Sequence, residues 1–157
     1  MKMQDELLEA WRTNNRINLF LIDHIESTGL KSTLSQRGGR DVARQFAHMH
    51  NVRIWHLQKR AKDLAKGRSI FPTKVSPGKA ELKKALTASS KAIEEFMAGV
   101  LSGEPKRRGF KKGIFTTLAY FVAHESHHRG SILLTLKQSG CAPDKNFRDN
   151  IWGWDQM

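Results

Sequence analysis

The stretch AHESHHRGSILLTL, residues 123–136, crowds His124, Glu125, His127, His128 and Arg129 together and then turns apolar. His124 and His128 are four residues apart, so on a helix their side chains lie about 40° apart around the axis, on nearly one face. Phe121 and Ile132 fall on the same stripe, with Leu118 and Leu136 at its edge. Both imidazoles are therefore expected to point inward. Two imidazole nitrogens at this spacing can meet on one transition-metal ion. Buried without a partner, each would carry a desolvation cost. His127 lies about 100° from His128, outside the stripe, and is expected at the surface or in support of a ligand.

Firm binding of a zinc-like ion needs at least three protein ligands. The segment FAHMHNVRIWHL offers His48, His50 and His56. A stripe through Val42, Phe46, Met49 and Leu57 puts His50 near its centre and His48 toward its edge. Spacing alone favours His50 and leaves the choice open. His24 has nothing around it that supports a ligand role. Glu125, near the inward face, would orient a ligand imidazole, act as a base, or form a salt bridge between helices. Arg129 would pair with a carboxylate inside the protein or with an anionic substrate.

These residues need helices to position them, and four helical stretches are expected, at about 5–27, 41–65, 77–102 and 114–138. In the first, Leu8, Trp11, Asn15, Asn18, Ile22 and Ile25 recur at helical steps, with Gly29 as the stop. The second closes at Lys66-Gly67. The third opens on Ser76 as N-cap with Pro77 at its first position. The fourth ends at QSGCAP, a glycine stop with a proline beyond it. Together they imply an all-α chain, a four-helix bundle formed as a single domain over residues 1–157. The connecting loops are longer than a minimal bundle needs, which leaves room for short helical turns or a crossing topology. A short C-terminal tail, IWGWDQM, is expected to pack Trp152 and Trp154 over one end of the bundle or into a subunit contact.

The composition narrows the function classes. There are 27 Lys and Arg against 15 Asp and Glu, a net charge of +12, which attracts anions of many kinds. The densest basic run is EPKRRGFKKG, residues 104–113, and a solvated loop is its simplest explanation. A lone cysteine, Cys141, excludes an intramolecular disulfide and suits a reducing compartment. With no apolar run of membrane length and no secretory signal at the N-terminus, a soluble cytoplasmic protein is expected.

AHESHHRGSI, following DVARQFAHMHNVR, resembles the DinB-like (damage-inducible B, YfiT-like) superfamily of four-helix-bundle metalloproteins. The resemblance covers nearly the whole chain, and the HxxHHRG signature of the fourth helix is its specific part. It implies one ligand from the second helix, six residues after an opening apolar position, and two from the first and last histidines of the fourth-helix motif. Carried over, Val42 sets the register and the implied metal ligands are His48, His124 and His128, which displaces His50. The family motif usually continues with glutamine where Ser131 follows Gly130 here, beyond the ligands.

The resemblance further implies one divalent transition metal, zinc or nickel, and a low-molecular-weight thiol as co-substrate. The activity it suggests is a metal-dependent thiol S-transferase or isomerase acting on a small electrophile, in a homodimer. Two other classes remain beside it. One is a metal-binding protein without catalysis. The other is a basic nucleic-acid-binding or stress-response protein, against which stands the absence of a recognisable nucleic-acid motif.

Overall fold

The computed structural model describes residues 2–156, which form helices and no strand. The long helices are α1 (Met3–Asp23), α3 (Val42–Arg60), α5 (Lys79–Leu101) and α6 (Ile114–Gln138), and short helices α2 (Ser27–Leu30), α4 (Lys62–Ala65) and α7 (Lys145–Asn150) lie between and after them. A 3-10 turn, Trp154–Gln156, ends the described chain.

Local chemistry accounts for most of the boundaries. Asp41 caps α3 by accepting from the Arg44 N–H at 2.8 Å, which satisfies one of the free amides of the first turn. At the end of α6, Gly140 takes φ +71 and the Cys141 N–H donates to the Leu136 carbonyl at 2.8 Å. That is the left-handed glycine stop read in QSGCAP.

Three boundaries differ from expectation. The first helix ends at Asp23, not Ser27, and Gly29 is a buried residue within α2. A Cβ there would stand 3.0 Å from Leu136 Cδ2 and 3.1 Å from Ile25 Cγ2, so this glycine serves close packing. The second stretch breaks at Ala61, where φ −158 and ψ 65 interrupt the helix before α4. Ser76 does not cap the third helix. Its hydroxyl donates to Asp41, and α5 starts after Gly78, whose N–H donates to Glu81 Oε2 at 2.9 Å.

Side-chain pairs across the helices define the topology. Trp11 Nε1 donates to the Ser90 carbonyl and Lys83 reaches Asp23, so α1 and α5 run antiparallel. Arg53 meets both Asn15 on α1 and Glu125 on α6, and His50 meets Ala85 on α5. Helices α1 and α6 point one way, α3 and α5 the other. The chain crosses the bundle between α1 and α3 and again between α5 and α6, as the long loops allow. Between α4 and α5 it returns along α3 as a strap: Ser69 lies at His50, Phe71 at Asn51, Thr73 at Arg44 and Ser76 at Asp41.

The apolar core forms two clusters. One gathers Leu21, Ile22, Phe46, Leu82, Ile132 and Leu136; the other gathers Trp11, Ile54, Leu57, Ile93, Phe96 and Phe121. The tail covers the end of the first cluster through Phe147 and Ile151. Trp152 and Trp154 stack on each other, with ring centroids 6.0 Å apart, and stay 76% and 49% exposed. The end of the bundle is covered by α7 and Ile151 in place of Trp152, while Trp154 lines a cleft with Ala10 and Ile17 of α1.

Candidate metal centre

Between the two apolar clusters the bundle carries a polar layer. Arg53 and Glu125 are fully buried and joined by two hydrogen bonds, Nε to Oε1 at 2.6 Å and Nη2 to Oε2 at 2.9 Å. Asn14 and Asn18 each donate to Oε2 at 2.7 Å, and their side-chain oxygens accept from Arg129 Nη1 at 2.9 and 2.7 Å. Arg53 Nη1 donates to Asn15 Oδ1, Ser89 Oγ and the Leu86 carbonyl, and the guanidinium lies 4.8 Å from the Trp11 ring centre. Burial pushes the Glu125 carboxyl up, but the Arg53 charge and the hydrogen bonds from Arg53, Asn18 and Asn14 hold it below the ordinary carboxylate range. Of the roles open to Glu125, the structure displays the salt bridge between helices. Arg129 likewise pairs inside the bundle, with asparagine oxygens.

One residue away along α6, His124 belongs to a different group. His48 from α3 and His124 and His128 from α6 bring one potential ligand atom each to within 4.8 Å of one another. Ring centroids are 5.3 Å apart for His48 and His124, 5.0 Å for His48 and His128, and 4.7 Å for His124 and His128. Because α3 and α6 are antiparallel, one residue of α3 can face two successive turns of α6. The buried Arg53–Glu125 pair joins the same two helices and fixes their register.

Each imidazole is depressed in basicity, in every case first by burial. For His48 the charges of Arg40 and His124 add to this and bring the pKa to about 4. For His128 the neighbouring imidazoles and Arg40 add to burial and bring it to about 3. His124 is also lowered, although Glu125 opposes the shift. All three are thus neutral near pH 7, the form that ligates a metal. His128 Nδ1 lies 3.4 Å from Gln45 Oε1; a carbonyl oxygen there calls for an N–H, so Nε2 keeps its lone pair. His124 Nδ1 is buried with no hydrogen-bond partner among the described residues, an arrangement that costs free energy unless something completes it. Three neutral nitrogen donors, one of them with a buried unmatched ring atom, fit a divalent transition metal.

The other histidines are placed elsewhere. His50 is buried, as its central position in the stripe predicts, but its ring faces α5 and the strap. Nδ1 lies 3.1 Å from the Ala85 carbonyl and Nε2 3.0 Å from the Ser69 carbonyl; the ring, which burial holds neutral at pH 7, donates its one N–H to one of them and turns neither nitrogen to α6. His56 packs against Phe110, Tyr120 and Phe121. His24 lies between Phe20 and Phe147 beside the tail. His127 is exposed, its ring 5.4 Å from that of His128.

Sequence reasoning did not single out Arg53, Arg40 or Trp55. The run RTNNRIN in α1, which brings three asparagines inward, was a signal for a buried polar partner. Nothing local marked Arg40 or Trp55, which lie beside His48.

A helical bundle with three histidines from two antiparallel helices around one point is the class of protein defined here. The chain belongs to the DinB family, whose model matches residues 1–152. No curated protein matches it.

Proposed function

We propose that the protein is a metal-dependent transferase that holds one divalent transition metal on His48, His124 and His128 and joins a low-molecular-weight thiol to a small electrophile. The observation that carries this reading is the meeting of three neutral imidazoles, two of them only partly buried, on one face open to solvent. When bound, such an ion keeps coordination positions free and lowers the pKa of a thiol or water that occupies one. The chain's own part is to hold the imidazoles neutral and in register. Trp55, 39% exposed with its ring 6.0 Å from that of His48, offers an apolar wall to whatever enters. The thiol is supported by family membership, and zinc and nickel by the all-imidazole donor set.

Pairing of two chains draws support from α6. Between Phe115 and Leu134 its exposed positions include Ala119, Ala123, Ser126 and Gly130 and no charged residue, unlike the rest of a chain with net charge +12. A second copy laid against this face would meet no fully exposed Lys or Arg of α6 between those positions.

The test is elemental analysis of the purified protein beside a His124→Ala/His128→Ala variant, followed by thiol–electrophile assays. About one equivalent of metal in the parent, none in the variant, and turnover that needs the metal are expected. Metal without turnover of any thiol would reduce the reading to metal binding alone. No metal in either protein after reconstitution would overturn it.

A further inference from the structure

Arg40 is the last residue before the cap of α3, at the end of a loop tightened by Ser35. The Ser35 hydroxyl accepts from the backbone N–H of Arg37 and of Gly39. The Arg40 carbonyl accepts from the Thr33 hydroxyl, so the backbone that carries the guanidinium is held. The guanidinium itself is exposed and makes no hydrogen bond or ion pair with any described residue. It lines a small depression together with Arg44, His48, Asn51, Trp55 and Thr73. No carboxylate of a described residue lines that depression. The nearest acid in the chain, Asp41, is committed to the Arg44 N–H and the Ser76 hydroxyl.

Its neighbour Arg44 is used differently. Nε and Nη1 of Arg44 donate to the Thr73 and Gly39 carbonyls, tying the strap to the loop. Arg40 is therefore the free cation of the pair. Its field acts most on His48, with which it lines the depression, and less on His124 and His128. A cation without a counter-ion beside uncharged nitrogens weakens metal binding, since it repels the ion that they would hold. A metal on neutral imidazoles adds charge of the same sign. Such a site is balanced only when the ligand brings negative charge at two points, one at the imidazoles and one at the guanidinium. The planar guanidinium is suited to a carboxylate or phosphate, which it can grip with two parallel N–H groups.

We propose that Arg40 determines the specificity of the histidine site by selecting small thiols that carry a second, anionic group. This rests on the metal-thiol reading above, which it deepens by naming the substrate class. Mercaptosuccinate would engage both points, 2-mercaptoethanol only the first, and cysteamine would be repelled at the second. The Arg40 side chain makes no hydrogen bond or ion pair with a described residue, and the bond from Thr33 goes to its backbone, so its replacement leaves the bundle and the imidazoles in place.

The experiment is titration of the cobalt(II)-loaded protein with these three thiols, read by the sulfur-to-cobalt charge-transfer absorbance, in the parent and in Arg40→Ala, Arg40→Lys and Arg37→Ala. Arg37 is an exposed cation of the same loop that does not line the depression. Expected is a loss of about tenfold in mercaptosuccinate affinity in Arg40→Ala, partial recovery in Arg40→Lys, and little change for 2-mercaptoethanol. At saturating cobalt the metal content should be equal in all four proteins. Equal loss for both thiols, no loss for either, or the same loss in Arg37→Ala would overturn the proposal. Failure of every protein to bind cobalt would instead overturn the metal reading. Arg40 is then judged on the metal-free protein, by the shift of the His48 ring resonances with added succinate. Loss of that shift in Arg40→Ala alone supports an anion site, and its persistence overturns it.

Discussion

Around Glu125 every charge has its partner: Arg53 grips both carboxylate oxygens, and Asn14 and Asn18 complete the shell. Around His124, the preceding residue, three imidazoles approach one another, and among the described residues none is paired with an acid and one ring nitrogen is buried without a partner. Both regions bridge α3 and α6. The first is closed and satisfied, and its business is register; the second is half open and incomplete. Polar groups held at the centre of a bundle thus divide into those that the fold completes and those that it leaves for a ligand.

The largest expected effect tests the closed region. Glu125→Ala leaves the Arg53 guanidinium buried with no counter-charge, and urea unfolding should show a loss of about 3–5 kcal/mol. Replacing both residues by apolar ones, Arg53→Met with Glu125→Leu, should recover much of it. If the single and double changes cost the same, the pair does not act as a unit.

The next effect belongs to the open region. Zinc at about 100 times its dissociation constant should stabilise the parent by about 2.7 kcal/mol. Thermal unfolding should show no such gain in His124→Ala/His128→Ala.

Two histidines of α3 then separate the regions within one helical turn. His50→Ala should cost about 1–3 kcal/mol through the carbonyl, of Ala85 or Ser69, that loses the ring's one N–H, with metal content unchanged. His48→Ala should do the reverse, losing metal with little change in the stability of the metal-free protein. Metal loss in both variants, or in His50→Ala alone, would break the distinction.

The last contrast is the pH dependence of the metal-free protein. His48 and His128 titrate near 4 and 3 in the fold, below the ordinary value of 6.5. Between those values the unfolded chain binds more protons than the folded one, so stability rises with pH across the window. It is complete above about 6.5 and falls as the pH drops toward 3. Glu125 acts with the same sign at lower pH, its contribution lost as acid passes below the ordinary carboxylate range toward its depressed native value. In the His48→Ala/His128→Ala variant the upper part of the slope should become shallower, the remainder coming from His56, His50 and His124, which burial also depresses, and the lower part should persist. A parent whose stability is flat from pH 7 to 4 would show that these imidazoles are not held neutral.

Much of this was legible in the residues. The periodicity of the fourth stretch located α6 at residues 114–138 as built, and the four-residue spacing of His124 and His128 put both on its inward side. Those are local properties, set by the helical repeat and by the glycine that stops it. The partner from α3 was not local. The helical wheel ranked His50 above His48 because it measures depth, and His50 is indeed the deeper. The family resemblance indicated His48, and the structure gives the reason: His50 turns to α5 and the strap, while His48 turns to α6.

Sequence by itself determined the all-α class, the length of α6 and the histidine pair, because hydrophobic period and capping act within a few residues. Only the tertiary structure decided which α3 histidine meets that pair, that Arg53 neutralises Glu125, and that Arg40 stands free beside the site. Those outcomes depend on how α3 crosses between α5 and α6 and where the strap returns. A helix's own sequence specifies which side is buried, but not what it is buried against.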